Sequence, residues 1–509
     1  MSTRSLARGL LERMSSARAV CPHHNSDGRP IKVAKLSQGG HGPNTDYAFE
    51  MVCSTLRFGR GVTTEIGYDV RNLGAKHTMV VTDRNVANTV AFKTVAHSLQ
   101  SLGIKYTVFD DVKIEPSDAS MKQAIDFARD RGCDSFVAVG GGSVIDTTKA
   151  VALYCSNPQA DFLDYVCPPF GKNLIPKNPM LPLIAVPTTA GTGSETTGAA
   201  IMDLPEKHCK TGIRQRCIKP LLAIIDPLNV MRSDISLFIV YFINSGGREG
   251  EEDTNRRKVL KVNEKNNTIK RSPRPLRPEL RPVYQGSNPI SDVWAKEALR
   301  IIGRFFRRSV FDPADEEART QMLMASSFAG MGFGNAGVHI CHGLSYPISS
   351  QGKCYHDVDY PSEKPLIPHG LSVITTAVAD FEFLTSACPE RHAEAARQLG
   401  ANIPISADSE YISRTLCDQI RGFMSDFQVP NGLKEMGFEF SDIGRVREIF
   451  ENRQMLRNAK ENIDSKNENL NSDNLASAAM NSVPNIAITP RATDREIIWK
   501  IYEKSLSVY

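Results

Sequence analysis

From residue 45 onward, short apolar runs alternate with longer stretches of helical periodicity. The runs are Thr78 to Thr82 (TMVVT), Tyr106 to Phe109, Ser135 to Val139 (SFVAV) and Leu183 to Val186. Such alternation predicts a parallel sheet with crossover helices. Each run is followed by residues able to hold a polar ligand: Thr82-Asp83, Asp110-Asp111, Gly140-Gly141-Gly142-Ser143 and Thr188-Thr189. The carboxyl edge of an open α/β sheet is where nucleotides bind. After Pro282 the periodicity becomes that of long helices, with Ser291 and Asp292 as expected caps before Val293, Trp294, Ala298, Ile301, Ile302 and Phe305. The expected fold class is therefore an α/β dinucleotide-binding domain over 45–232 followed by an all-α domain over 283–509.

Three stretches break the pattern. Residues 248–282 carry 11 basic and 6 acidic residues, four prolines near the end and almost nothing apolar. They are expected to form a solvated, disordered part of a divergent segment spanning 233–282. An insert at 458–485, rich in Asn, Ser, Lys and Glu, is expected to be a surface loop. At the N-terminus, Arg4, Arg8, Arg13 and Arg18 face a single acid, Glu12, while Leu6, Leu10 and Met14 form one helical stripe. That composition predicts a mitochondrial presequence and disordered lead within 1–44, and hence a place in the matrix; a basic tail is the alternative.

Bulk composition changes this picture little. The 509 residues are 41% hydrophobic and 23% charged with a net charge of +4, which suits a globular protein and does not suggest a nucleic-acid partner. The 11 cysteines stand singly, as expected of reduced thiols. No apolar run reaches the length of a membrane-spanning helix, so no membrane insertion is expected.

Gly140 to Asp146 (GGGSVID) follows a strand and opens a helix. Its glycines allow a phosphate close to the backbone, and the helix N-terminus supplies N–H donors. A tight strand-to-helix turn needs the same residues, so the motif alone leaves both readings open. Pro187 to Glu195 (PTTAGTGSE) is a second loop of hydroxyls and glycines able to bond phosphate, ribose or nicotinamide. Asp83, at a strand end, can accept both adenosine ribose hydroxyls and favour NAD over NADP, or simply cap a helix. In the helical half, His339, His342 and His369 lie in GVHICHGLSYP and PHGL. Imidazoles beside glycine suit a divalent metal, although a lone buried histidine is more often structural.

In combination these motifs resemble the iron-dependent alcohol dehydrogenase family, which shares a GGGS-x-x-D loop, a P-T-T-x-G-T-G-S-E loop and H-G histidines in a helical domain. Finer stretches (TDYAFEM from Thr45, DFLDYV from Asp161, YQGSNPISD from Tyr284, GFGNAG from Gly332) are similar to its branch that exchanges hydride between a hydroxy acid and an oxo acid. The resemblance implies a dehydroquinate synthase-like fold, tightly bound NAD(H), and Fe(II), with Zn(II) as the alternative. His342 and His369 match two metal ligands. Asp83, Gly141, Gly142, Ser143, Thr188, Thr189 and Lys210 match cofactor-contacting positions. Tyr346 stands where many relatives have another histidine near the nicotinamide. No catalytic residue is expected beyond the metal site.

The implied reaction oxidises 4-hydroxybutyrate to succinate semialdehyde while 2-oxoglutarate becomes 2-hydroxyglutarate. The partners are then small acids, and a homo-oligomer is compatible with the pattern. The family's other two ligands belong to a G-x-D-x-x-x-H-A-x-E helix. Here Asn244-Ser245-Gly246 is followed by GREGEED, and no histidine occurs before Arg281. Little activity is expected of a chain with two imidazoles alone. A non-catalytic nucleotide-binding protein and an NAD-linked alcohol dehydrogenase are the alternatives.

Overall fold

The computed structural model describes residues 49–207, 209–231, 283–352, 354–357, 365–444, 489, 491 and 493–509. The expected presequence, the divergent segment 233–282 and the insert 458–485 lie outside the described residues.

Six strands form one sheet: β1 (Thr55–Phe58), β2 (Thr78–Val81), β3 (Tyr106–Phe109), β4 (Ser135–Gly140), β5 (Leu183–Pro187) and β8 (Leu222–Ile225). Their order is β1-β8-β5-β4-β2-β3, and every neighbouring pair is parallel. Every residue of β2, β4, β5 and β8 is buried, as befits central strands covered on both faces. Alternate side chains take opposite faces. Val80, Val137, Val139, Ile184 and Val186 pack with Val95 and Leu99 of helix α2 (Val90–Ser101), which follows α1 (Ile66–Asn72). Met79, Val81, Phe136, Ala138 and Ala185 pack on the other side with α3 (Asp118–Asp130) and α4 (Gly142–Ser156). Each Val, Leu, Ile, Met or Phe among them contributes about 1.5–3 kcal/mol on burial.

Strand order reverses between β2 and β4: β3 lies on one side of β2 and β4 on the other. The residues after β2 and after β4, Asp83 and the glycine loop, therefore flank a topological switch point, where such sheets take ligands. An antiparallel hairpin, β6 (Ala199–Leu204) and β7 (Cys209–Arg214), was absent from the sequence expectation. Its β6 alternates between buried and half-buried positions, a weaker signal than the continuous apolar runs.

The second half is helical among the described residues: α5 (Pro289–Phe311), α6 (Glu316–Ala336), α7 (Ile340–Ser350), α8 (His369–Leu384), α9 (Pro389–Gln398), α10 (Ser409–Asp426) and α11 (Arg495–Lys504). Helix α5 corrects one expectation. Asn288 is its cap, accepting from Ser291 N–H at 2.9 Å with Pro289 opening the first turn, so Ser291 and Asp292 lie inside the helix. Asp315 and Asp408 cap α6 and α10 in the same way. Ile301, Ile302, Phe306, Leu323, Phe333, Phe381, Leu416 and Phe423 form the core between these helices, and Ala223 and Ile225 of β8 join it. No described helix is long and apolar enough to cross a membrane.

Candidate active site

At the nucleotide edge, Gly141 is the N-cap of α4 and no side chain caps that end. The first-turn N–H groups thus have no side-chain cap, as an anion site requires. A Cβ at Gly141 would lie 3.1 Å from Thr189 Oγ1, and one at Gly142 would lie 3.0 Å from Thr192 Oγ1. Glycine is what lets the two motif loops touch. The backbone continues the contact, with Thr188 N–H donating to Gly140 O at 3.1 Å. A glycine cradle at an uncapped helix N-terminus fits a dinucleotide pyrophosphate.

Asp83 Oδ1 accepts from the N–H groups of Asn85 and Val86, both at 2.9 Å, and so holds the turn that leads into the short helix Val86–Asn88, whose N-cap is Asn85. Its place at the switch point still leaves the second oxygen toward which a ribose would have to bond. Lys210 is paired with two carboxylates: Glu115, and Asp203 at 3.1 Å. Glu115, at φ 51 after β3, also receives His369 N–H on Oε1 at 3.2 Å, and its own N–H donates to Ser143 Oγ at 3.3 Å. One side chain thereby ties the glycine loop, β7 and the start of α8 together. Burial would raise the Glu115 pKa, but Lys210 and the His369 side outweigh it and hold the carboxyl below its ordinary value.

Lys149 does comparable work two turns into α4. Its buried ammonium donates to Ser194 Oγ at 2.8 Å, Thr197 Oγ1 at 3.1 Å and Ala199 O at 2.7 Å, and pairs with Asp146 at 3.2 Å. The Ser194 hydroxyl of the PTTAGTGSE loop is in this way spent on joining the two loops.

His342, buried in α7, and His369, half-buried at the start of α8, have ring centroids 5.4 Å apart at 60°. Burial pushes the His342 pKa well below its usual value and that of His369 down to about 4, so both are neutral imidazoles at pH 7. That is the state a metal requires. Tyr346, one helical turn beyond His342, stacks on His369 at 5.9 Å and 27°. His339 is buried against Phe381, and burial takes its pKa down to about 3. Among the described residues, no group of three His, Cys, Asp or Glu is placed to hold a metal ion. Two nitrogens do not complete the four-ligand or six-ligand shell of a resident divalent metal, so the described donor set does not fit one.

Behind Tyr346 lies Arg214, the last residue of β7. It donates from Nη2 to Tyr346 Oη at 3.4 Å, lies 4.0 Å from Cys167 Sγ through Nη1, and sits over the Tyr284 ring at 5.5 Å. Neither Arg214 nor Glu115 nor Lys149 was singled out from sequence. Lys149 carried a signal, an i,i+3 spacing from the motif's Asp146; Glu115 carried only its place after a strand and before Pro116. Nothing in its neighbourhood marked Arg214.

Asp380 of α8 bonds the Thr376 hydroxyl at 2.8 Å and also meets Cys341, the residue before His342. Burial pushes its carboxyl up to about 7. The folded state thus binds this proton more tightly than the unfolded chain, so the contribution of Asp380 to stability is full below about pH 4 and is lost as pH rises through about 7. Asp380→Asn is expected to remove this slope, gaining on the order of 2 kcal/mol over the parent at pH 8 and little at pH 4. Urea unfolding at the two pH values measures it, and an equal gain or loss at both would refute the assignment.

The chain matches known proteins along nearly its whole described length. Residues 53–227 match the family model for iron-containing alcohol dehydrogenase, and residues 283–506 match the C-terminal model of the Fe-containing alcohol dehydrogenase family. It is 63% identical over 505 residues to a Caenorhabditis briggsae protein named hydroxyacid-oxoacid transhydrogenase, mitochondrial, covering 99% of each chain. It is 44% identical over 445 residues to the mouse protein of the same name, covering 87% of this chain and 91% of that one. Among solved structures, a 1,3-propanediol oxidoreductase superposes with a TM-score of 0.69 at 22% identity, covering 90% of this chain and 100% of that one. A sulfoacetaldehyde reductase from Bifidobacterium kashiwanohense, in complex with NAD+, gives a TM-score of 0.65 at 22% identity, covering 92% and 100%. These two likenesses bear on the fold alone.

Proposed function

The chain belongs to the iron-containing alcohol dehydrogenase family, and on that premise we propose that it is a hydroxyacid-oxoacid transhydrogenase of mitochondria. The observation that carries the reading is the 63% identity, over 99% of both chains, with a relative of that name. The pair of substrates we assign is 4-hydroxybutyrate, oxidised to succinate semialdehyde, and 2-oxoglutarate, reduced to 2-hydroxyglutarate. Bound NAD(H) would supply the hydride acceptor and donor, taking hydride from the carbinol carbon of one acid and returning it to the carbonyl carbon of the other, with the proton released by the first hydroxyl balancing the proton taken up by the second oxygen. Redox balance is restored within one cycle, so NAD(H) stays bound throughout.

Under this reading α4 and the glycine loop hold the pyrophosphate. Asp83 and Thr188-Thr189 hold the ribose and amide ends, and Ser143 and Lys210 act through their shared partner Glu115. His342 and His369 would contribute two nitrogens toward the family's metal, Fe(II) or Zn(II). With no third donor beside them among the described residues, and no histidine in residues 209–338, no step is assigned to that metal. The purified chain is expected to hold Fe(II) well below one per chain and to exchange hydride slowly. The test is deuteride transfer from C4-deuterated 4-hydroxybutyrate to 2-oxoglutarate, with and without added NAD, alongside iron analysis. Transfer without added NAD supports the transhydrogenase; NADH release into solution points to an ordinary dehydrogenase. No transfer from a folded, NAD-binding chain means a nucleotide-binding protein without catalysis, the reading favoured by the lack of a third donor among the described residues. Stoichiometric iron would overturn the incomplete site.

A further inference from the structure

A guanidinium is charged at every physiological pH, and burying one without an anion is unfavourable by several kcal/mol. Arg214 is half-buried, its Nε is screened from solvent with no hydrogen-bond partner, and no carboxylate among the described residues pairs with it. Its neighbours are neutral: the Tyr346 hydroxyl at 3.4 Å, the Cys167 thiol at 4.0 Å and the Tyr284 ring at 5.5 Å. The other cations of this region are differently placed. Lys210 has Glu115 and Asp203, and Lys149 has Asp146. Among the described residues, Arg214 is thus a cation of the site whose charge meets no carboxylate.

We propose that Arg214 binds the carboxylate of the substrate acid, with the Tyr346 hydroxyl beside it, and so makes this a site for acids and not for simple alcohols. The proposal rests on the hydroxy-acid and oxo-acid reading above. Planar, forked N–H donors are what a carboxylate accepts in bidentate fashion. Tyr346 sets the spacing: its hydroxyl meets Arg214, and its ring stacks on His369 at 5.9 Å. An acid anchored on Arg214 reaches the imidazole pair along one tyrosine ring, within the span of a short carbon chain.

The chemistry of the two substrates agrees with a single anchor. In 4-hydroxybutyrate the carbinol carbon is three carbon–carbon bonds from the carboxylate carbon. In 2-oxoglutarate the carbonyl carbon is three bonds from the distal carboxylate carbon. One guanidinium can therefore place both reacting carbons at the same point, which is what a cofactor that never leaves demands. The carboxylate next to the oxo group needs no share of Arg214.

The test is calorimetric binding to the full chain saturated with NADH, without added metal, so that it does not depend on turnover. The probes are 2-oxoglutarate and 2-oxoglutaramate, in which the distal carboxylate is an amide. The parent is expected to prefer the acid about 100-fold, R214K to lose about tenfold of that and R214Q to bind both alike. The comparison of the two ligands on the parent alone remains decisive if R214Q fails to fold. Equal binding of acid and amide by the parent, or undiminished 2-oxoglutarate binding by R214Q, overturns the role of Arg214 while leaving the oxo-acid reading intact. A parent that binds NADH but neither 2-oxoglutarate nor 4-hydroxybutyrate overturns both.

Discussion

Lys149→Met should destabilise the folded chain by about 3–5 kcal/mol, because it removes one partner of a buried ion pair and leaves the other. The side chain of Lys149 is 0% exposed and that of Asp146 14% exposed. Methionine preserves the length of the stem, so the loss reports the charge and its hydrogen bonds and not a cavity. Asp146 would keep the Ser194 hydroxyl and the Ile201 N–H at 2.9 Å, but no cation, while Thr197 and the Ala199 carbonyl would lose their donor. Because these contacts join the start of α4 to the loop ending at Thr197, NAD affinity should fall with stability. Asp146→Asn added to Lys149→Met should restore part of the stability, since it removes the uncompensated charge. Urea midpoints for the single and double variants decide the matter. A single variant within about 1 kcal/mol of the parent would show that the network is not holding the loops together.

Gly330→Val should cost more than about 3 kcal/mol, for a reason of space and not of charge. In α6, a Cβ at Gly330 would lie 2.1 Å from Thr196 Oγ1 and 2.4 Å from Gly193 O. The Thr196 hydroxyl could turn aside; the Gly193 carbonyl is backbone and could move only with its loop. Gly193 is itself at φ +60, and a Cβ there would meet Ser326 O at 2.4 Å. Two glycines thus let backbone meet backbone where the 187–195 loop crosses α6. Gly193 N–H donates to Ser326 Oγ at 3.1 Å, and the Ser327 hydroxyl donates to Glu195 at 2.7 Å. Valine would push this seam apart, lowering the midpoint of thermal unfolding and weakening NAD binding together. Gly191→Ala, in the same loop but with nothing within 4 Å of its Cβ, should leave the midpoint nearly unchanged. If both substitutions are equally tolerated, close approach is not the reason for the glycine at 330.

The sequence expectation and the structure agree on what local pattern can specify. Apolar runs became β2, β4 and β5 because a strand buried on both faces must be apolar throughout, while β3, half-buried at the sheet edge, is marked by its β-branched and aromatic residues. The glycine loop sits at a helix N-terminus, where glycine gives it a close approach to Thr189 and Thr192. The hairpin of β6 and β7 escaped notice because its alternation is interrupted by Gly212, and the cap of α5 was misplaced by three residues because Asn288 lies ahead of Pro289. His342 and His369 could be named from their motifs, but only the fold brings their rings to 5.4 Å.

By itself, then, the sequence determined the four strands β2 to β5, the helical character of the second half, where the glycine loop would sit, and that residues 247–270 hold no histidine. Those are properties of neighbours along the chain, and periodicity and backbone freedom report them directly. Tertiary structure alone decided the partners of the charges: Lys210 with Glu115, Glu115 with the start of α8, and Arg214 with Tyr346 and with no carboxylate among the described residues. These pairs are separated by 95, 254 and 132 residues. Which charge finds a counterion at such distances depends on strand order and on the packing of α7 and α8, and a charged side chain looks the same in sequence whether it ends paired or left for a ligand.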